Sequence, residues 1–413
     1  MAKALDNHRN LRDCMRVLII TEYFPSLMEP AITGGVEARA WFVSRLLARN
    51  HAVVVLTSWR RGLPRSEGID RVRVLRVGPH HPYSNDNQVM SRFAFAAAAA
   101  AKGRTLGRFE VVDGQNFIAY LPAYFIARRT GARAVATYHE VWRGDWLENK
   151  GWLVGGLGEL WERLVLTRPW DHLVAVSRFT RGRLMAHRIP AERISVIHNG
   201  VDLELIRTSA SCRKNQHTLC MVSRLVEGKR PELLLEALVL VGRLQPDLMA
   251  SFEVKICGDG PLMERCLELS RRLGLAHQVR FLGRMESLQD VYRLMKESAL
   301  LIHPSKVEGF GIVVAEAAAC GTPALVADIP PSREVLEMIG GGRLFRPDTA
   351  ERLAEEIIRH FTCDPVPVGH PEALHWDVIG ARIEALYQRL ASAEASSATV
   401  PTGSIPTEPF SGG

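Results

Sequence analysis

Between residues 16 and 345, short runs of aliphatic and β-branched residues alternate with helical stretches, and the whole alternation occurs twice. The segments 16–20, 51–57, 72–77, 111–113, 134–137 and 173–177 read as strands. Helices are predicted to about residue 49 and near 91–105, 118–129, 157–166 and 179–187. After a polar break at Thr208, Ser209, Ala210 and Ser211, strands near 218–222, 252–257, 279–282, 299–302, 323–326 and 343–345 repeat the pattern, with helices from Pro231 onward. Such alternation confines a chain to α/β folds whose parallel sheets are covered by helices. At 413 residues the chain also exceeds what one hydrophobic core supports. Two domains, each built on a parallel sheet, are therefore expected, at 1–203 and 204–371. Helical spacing then runs through Trp376, Ile379, Ile383, Leu386 and Leu390, which gives a helix over 372–390. Residues 391–413, rich in Ala, Ser, Thr, Pro and Gly, are expected to be a disordered tail.

Composition narrows the function classes. Hydrophobic residues make up 47% and charged residues 23%, the proportions of a soluble globular protein, and no apolar run reaches the length of a membrane span. The apolar run at 17–20 reads as a first strand, not a signal peptide. Seven cysteines, an odd number, are scattered without paired spacing, which points to a reducing cytoplasm and no structural zinc. Charge is unevenly divided: residues 1–200 carry 29 Lys and Arg against 17 Asp and Glu, while 201–413 carry 23 against 28. A basic first half suits an acidic acceptor or an anionic membrane surface; an Arg-rich composition that serves solubility is the plainer explanation.

The chemistry gathers in one stretch. His303, Pro304, Ser305, Lys306, Val307, Glu308, Gly309, Phe310 and Gly311 follow a buried-strand pattern and precede a helix containing Ala315, Glu316, Ala317, Ala318 and Ala319. The glycines leave backbone N–H groups uncovered at a helix N-terminus, which suits an anion. Glu308 before the helix and Glu316 within it can then face one ligand with hydroxyls at one end and phosphate in the middle. A nucleotide sugar has that layout.

This stretch resembles the donor-binding motif of the family 4 retaining glycosyltransferases, enzymes of the GT-B fold with two Rossmann-like domains facing across a cleft. The resemblance extends over about residues 15 to 390. It is carried by Gly34-Gly35-Val36-Glu37, Thr137-Tyr138-His139, Ile197-His198-Asn199-Gly200-Val201-Asp202, Ser223-Arg224-Leu225 with Lys229, Gly258-Asp259-Gly260-Pro261 and the glutamate pair. It implies that Glu308 and His139 reach the donor sugar, that Glu316 accepts from the ribose hydroxyls, and that Arg224 and Lys229 contact the diphosphate. Gly34, Gly35, Gly258, Gly309, Phe310 and Gly311 would complete the donor site. The helix after Trp376 would cross back onto the first domain. One departure stands out: where relatives carry a glycine-rich turn after Cys320-Gly321-Thr322-Pro323, this chain has Ile329-Pro330-Pro331-Ser332-Arg333-Glu334, read here as a stiff turn that alters the donor pocket.

On this reading the protein is a hexosyltransferase that uses a nucleotide-diphosphate sugar as donor substrate, with no cofactor. No Asp-x-Asp triplet occurs, so no metal is expected and basic groups must neutralise the leaving phosphate. The acceptor is a glycan, a lipid-linked molecule or a small molecule; no nucleic acid is expected. Five of the eight tryptophans fall within 142–170 beside basic residues. Trp142, Trp146 and Trp152 are read as an acceptor or membrane-interface set, which would place the protein in the cytoplasm with peripheral contact to anionic membrane, and Trp161 and Trp170 as core. A nucleotide-sugar epimerase of the same fold and a non-catalytic nucleotide-sugar-binding partner subunit are the alternatives.

Overall fold

The computed structural model describes residues 14–32, 34–82, 88–210, 213–346 and 348–397. The first sheet comprises β1 (Arg16–Ile20), β2 (Ala52–Trp59), β3 (Ser66–Ile69), β4 (Val72–His80), β5 (Val111–Gly114), β6 (Arg133–Tyr138), β7 (His172–Ala175) and β8 (Ile194–Val196). Its order is β3-β4-β2-β1-β5-β6-β7-β8, and only the β3–β4 pair is antiparallel. The second sheet, in the order β11-β10-β9-β12-β13-β14, is wholly parallel. It contains β9 (Thr218–Val222), β10 (Glu253–Cys257), β11 (Val279–Gly283), β12 (Leu300–His303), β13 (Ala324–Ala327) and β14 (Arg343–Phe345).

The central strands are near-continuous apolar runs because helices cover both faces. Val17, Leu18, Ile19 and Ile20 are all fully buried, Leu18 and Ile20 in one core cluster and Val17 and Ile19 in another. The helix Pro231–Leu244 shows how the covering works: Pro231 pre-sets its first turn, and Leu234, Leu235, Leu238 and Val241 turn one stripe onto β9 and β10.

The chain passes between domains twice. At the first crossing Val201 N–H donates to Leu374 O at 2.7 Å, so the two linkers run side by side. Gly200 is required there, since a Cβ would fall 2.4 Å from the Trp376 ring. The helix Trp376–Ser397 then lies on the first domain. Trp376, Ile379, Ile383, Leu386 and Tyr387 bury against Val17, Ile19, Val43 and Leu47, and Tyr387 Oη donates to Asp113.

Several elements differ from the sequence expectation. The helix after Trp376 continues to Ser397, so 391–397 are helical where a disordered tail was expected; alanines at 391, 393 and 395 favour that continuation. The rest of that tail, 398–413, lies outside the described residues. Strand β3 escapes the pattern because it is a four-residue edge strand, joined to β4 through a tight turn with Asp70 and Arg71 at positive φ. Pro330-Pro331 is not a stiff turn: the two prolines occupy the first turn of the helix Pro330–Ile339, where a missing N–H costs no hydrogen bond. The helix after β6 spans Trp146–Leu166 and starts well before residue 157, with a break at Gly151, whose φ is 71°. Among the described residues no helix is long and apolar enough to cross a membrane.

Candidate active site

The segments that follow the carboxyl ends of β6 and β12 meet at His139 and Gly309, and such strand ends are where ligands of open α/β sheets collect. On the second domain, β12 ends at His303 and the chain loops to Gly311, whose φ of 88° turns it into the helix Ile312–Ala319. Within that loop the Glu308 carboxylate is almost enclosed. Lys229 Nζ pairs with its Oε1, and the buried His303 places Nε2 2.7 Å from the same oxygen. Burial alone raises the pKa of such a carboxyl, but Lys229 and then His303 outweigh it and hold Glu308 well below the usual range.

Lys229 arrives from the loop after β9. That loop is stitched to the Glu308 loop by Lys306 N–H donating to Gly228 O at 2.8 Å, and to the turn after β10 by Leu225 N–H donating to Asp259 O at 2.9 Å. Arg224 lies on the same loop with an exposed side chain. Gly258 has a packing reason of its own: at φ 133° a Cβ would stand 1.8 Å from Ser223 O, so only glycine lets the ends of β9 and β10 meet here.

One turn into the helix, Glu316 accepts from Tyr292 Oη at 3.2 Å. Burial raises its pKa to about 7 from an ordinary 4.5, with Tyr292 pulling against the shift and Asp202 adding to it. Because folding favours the neutral form, the stability contribution of this group declines as pH rises from about 4.5 through about 7. If the ribose hydroxyls of a nucleotide donate to Glu316, as the resemblance implies, they favour the ionised form instead. Nucleotide affinity is therefore expected to rise between about pH 6 and pH 8. In Glu316→Gln it should be weaker and flat over that range, which calorimetric titration with a nucleotide diphosphate checks; an equal slope in the variant removes Glu316 from the ribose site.

The first domain closes onto this loop. His139 directly follows β6, and its carbonyl abuts Gly309 so closely that a Cβ on Gly309 would lie 2.1 Å from His139 O. Burial, with a smaller push from Arg39, lowers the His139 pKa to about 3, so the imidazole is neutral; its Nε2 is buried without a partner among the described residues. Gly34 and Gly35 start the helix Gly35–Leu47, with nothing within 4 Å of where a Cβ would stand. Phe310 is buried against His198 at a ring distance of 5.1 Å, in a cluster that Ile312 shares with the first domain.

Three further residues complete the frame, Glu334 and Arg39 outside the recognisable motifs and His303 at the head of the glutamate-bearing stretch. Glu334, on the helix with the two prolines, accepts from Arg178 N–H at 2.8 Å and meets His198 Nε2 at 2.7 Å, so the divergent segment straps the domains together. Arg39, fully buried, donates to His198 O and Asn199 Oδ1 at the linker. His303 sits directly under Glu308. Glu334 and Arg39 carry no local sequence signal, because each acquires its role from a partner on another element, while His303 stands in the motif stretch and gains its role from Glu308 five residues on.

Of the three tryptophans read as an acceptor or membrane-interface set, Trp142 and Trp146 are half-buried: their indole N–H groups donate to Glu140 and Glu162, each at 2.6 Å, and Trp146 packs against Phe117 and over Gly158. An indole N–H that finds a carboxylate turns inward, and sequence spacing does not show that Glu162 lies opposite. Trp152 alone of the three is exposed, at 78%. Beside it Leu153, Leu157, Leu160 and Leu164 form an exposed stripe at helical spacing. Trp161 is partly buried with its indole bonded to Phe117 O, and Trp170 is buried.

Comparison with known proteins agrees with this architecture. The model of glycosyl transferases group 1 matches residues 204–368, and that of glycosyltransferase family 4 matches residues 33–205. A D-inositol 3-phosphate glycosyltransferase of Gordonia bronchialis is 27% identical over 343 residues, 76% of this chain and 74% of that protein. Among solved structures, a sucrose-phosphate synthase from Thermosynechococcus elongatus superposes with a TM-score of 0.74 at 18% identity, covering 92% of this chain and all of that one. Anabaena HepE in complex with UDP-glucose gives 0.63 at 17% identity, over 93% of this chain and all of that one. With matched segments that meet at the inter-domain linker and a fold of two parallel-sheet domains, the chain belongs to the group 1, family 4 glycosyltransferases of the GT-B fold.

Proposed function

We propose that the protein transfers a hexose from a nucleotide-diphosphate sugar, with retention at the anomeric carbon and without a metal ion, to a lipid-linked acceptor in glycan biosynthesis. The observation that carries the reading is the convergence of Glu308, Lys229 and His303 on a loop whose Gly309 rests against His139 O. As the bond between the sugar and the leaving phosphate breaks, positive charge develops on the sugar and negative charge on the phosphate. A fixed carboxylate serves the first, and Lys229, Arg224 and a helix N-terminus serve the second. The relative named for D-inositol 3-phosphate and the fold neighbour holding UDP-glucose support this class of donor and a hydroxyl-bearing acceptor.

A panel of nucleotide sugars, assayed for free nucleotide diphosphate with and without a membrane extract, tests the reading. Acceptor-stimulated release that persists in EDTA is expected. Conversion of the donor to its epimer without release would mark the epimerase instead, and EDTA inhibition reversed by Mg²⁺ would end the metal-free assignment.

The lipid side rests on the stripe of Trp152, Leu153, Leu157, Leu160 and Leu164, beside which Lys150 and Arg163 are exposed with no ion pair among the described residues. An apolar face edged by basic residues suits the interface of an anionic bilayer. Sedimentation with anionic vesicles is expected at low salt and partial release as salt rises, since attraction is screened over about 8 Å at physiological ionic strength. Changing Trp152 and Leu157 to Ser should remove the salt-resistant fraction. A wild type that ignores such vesicles would make the acceptor a soluble molecule.

A further inference from the structure

Glu140 stands where the two domains meet, yet donor binding assigns it no task. Its stem lies against the donor loop, for a Cβ on Gly309 would be 3.3 Å from Glu140 Cγ. Its Oε2 accepts the Trp142 indole N–H at 2.6 Å, and Oε1 has no hydrogen-bond partner among the described residues. Burial raises the pKa of this carboxyl, against the pull of Lys229, the Trp142 N–H and Arg224, and with a further push from Glu308; all three charged neighbours belong to the facing domain. Glu140 is thus a first-domain acid held at the edge of the diphosphate cations.

The segment that carries it is braced from behind. Glu162 accepts from Trp142 N–H at 3.2 Å and from the Trp146 indole, Glu159 accepts from Gly144 N–H at 2.8 Å, and Arg183 donates to Val141 O at 3.0 Å. Trp142 is half-buried, and its ring also meets that of Trp146 at a centroid distance of 5.3 Å. A rigid aromatic surface beside a carboxylate with an unused oxygen suits a polyhydroxylated ring, whose C–H face packs on the indole while a hydroxyl donates to the acid. An anionic group at this position would meet like charge and be rejected.

Resting on the transferase reading, we infer that Glu140 and Trp142 form the acceptor subsite next to the reacting centre, and that it takes an uncharged, hydroxyl-bearing ring, a sugar or a cyclitol. Any phosphate or lipid of the acceptor lies farther out along the first domain. Glu140 accepts a hydrogen bond from an acceptor hydroxyl and so positions the ring; it has no part in holding the nucleotide.

Glu140→Ala and Glu140→Gln test this, the second because it retains an acceptor for the Trp142 indole and keeps the loop folded. Both are expected to bind UDP within about 2-fold of wild type. Acceptor-stimulated release of nucleotide diphosphate should fall by about 10-fold in Glu140→Gln and about 100-fold in Glu140→Ala, the range expected for a lost hydrogen bond to a charged group. In protein labelled with ¹⁵N-tryptophan and saturated with UDP, methyl α-glucoside or myo-inositol should shift the Trp142 indole N–H resonance, and Glu140→Ala should abolish that response. Transfer by Glu140→Ala at the wild-type rate overturns the assignment. So does a loss of UDP affinity in step with transfer, or an indole resonance that neither ring moves. Wild-type protein that neither binds nucleotide nor releases it fails the transferase reading instead, a result visible before any variant is made.

Discussion

Replacing Arg224 and Lys229 together by Ala is expected to lower sugar transfer by on the order of 10³-fold or more, because the departing diphosphate loses both fixed cations at the moment its charge grows. The two substitutions differ in their effect on the fold. Arg224 is exposed, and its loss should leave the melting temperature near wild type. Lys229 instead covers the nearly buried Glu308, so removing it leaves that carboxylate on His303 alone. A cost of roughly 1–3 kcal/mol follows from the exposed pairing deficit. Coupling Lys229→Met to Glu308→Gln removes both charges and should restore most of that stability while remaining inactive, which separates the electrostatic role from the structural one. Thermal denaturation beside release of nucleotide diphosphate reads both quantities. Turnover near the wild-type rate in the double Ala variant would dismiss the diphosphate assignment.

Gly309→Ala should also be strongly damaging to activity, though less so, and almost silent in stability. Its backbone is not in the left-handed region, so alanine fits the local conformation; the obstacle is His139 O of the facing domain, 2.1 Å from the added Cβ. Each domain then folds as before but cannot close. A displacement of about 1 Å between sugar and catalytic groups costs on the order of 10²-fold in rate. Gly258→Ala makes the contrast. There the added Cβ meets Ser223 O inside one domain at 1.8 Å, at a φ of 133°, so a loss of about 3 kcal/mol or more and a lowered melting temperature are expected along with inactivity. If Gly309→Ala is as unstable as Gly258→Ala, the inter-domain contact is not what keeps this position a glycine.

The difference between these two glycines also marks the reach of local sequence reasoning. Both stand in recognisable motifs, and both were assigned to the donor site from sequence. The reason for each is a backbone oxygen far away in the chain: Ser223 O for one, His139 O for the other. Trp142 and Trp146 behave in the same way. Aromatic residues among basic ones read as an outward set, yet their N–H groups end on Glu140 and Glu162, and only Trp152 remains exposed.

The sequence by itself determined the class of fold, the alternation of strands and helices in both halves, and the position of the glutamate-bearing loop between a buried strand and an alanine-rich helix. These depend on hydrophobic periodicity and turn chemistry, which act over a few residues and are written locally. Only the tertiary structure decided which side chains share a site. It set His303 beneath Glu308, Glu334 across from Arg178 and His198, Arg39 under the linker, and Glu140 against the donor loop. Hydrogen bonds and charge interactions of that kind join residues far apart in the chain, 156 positions for Arg178 and Glu334 and 274 for Asp113 and Tyr387, and their strength depends on burial that exists only once both domains have packed.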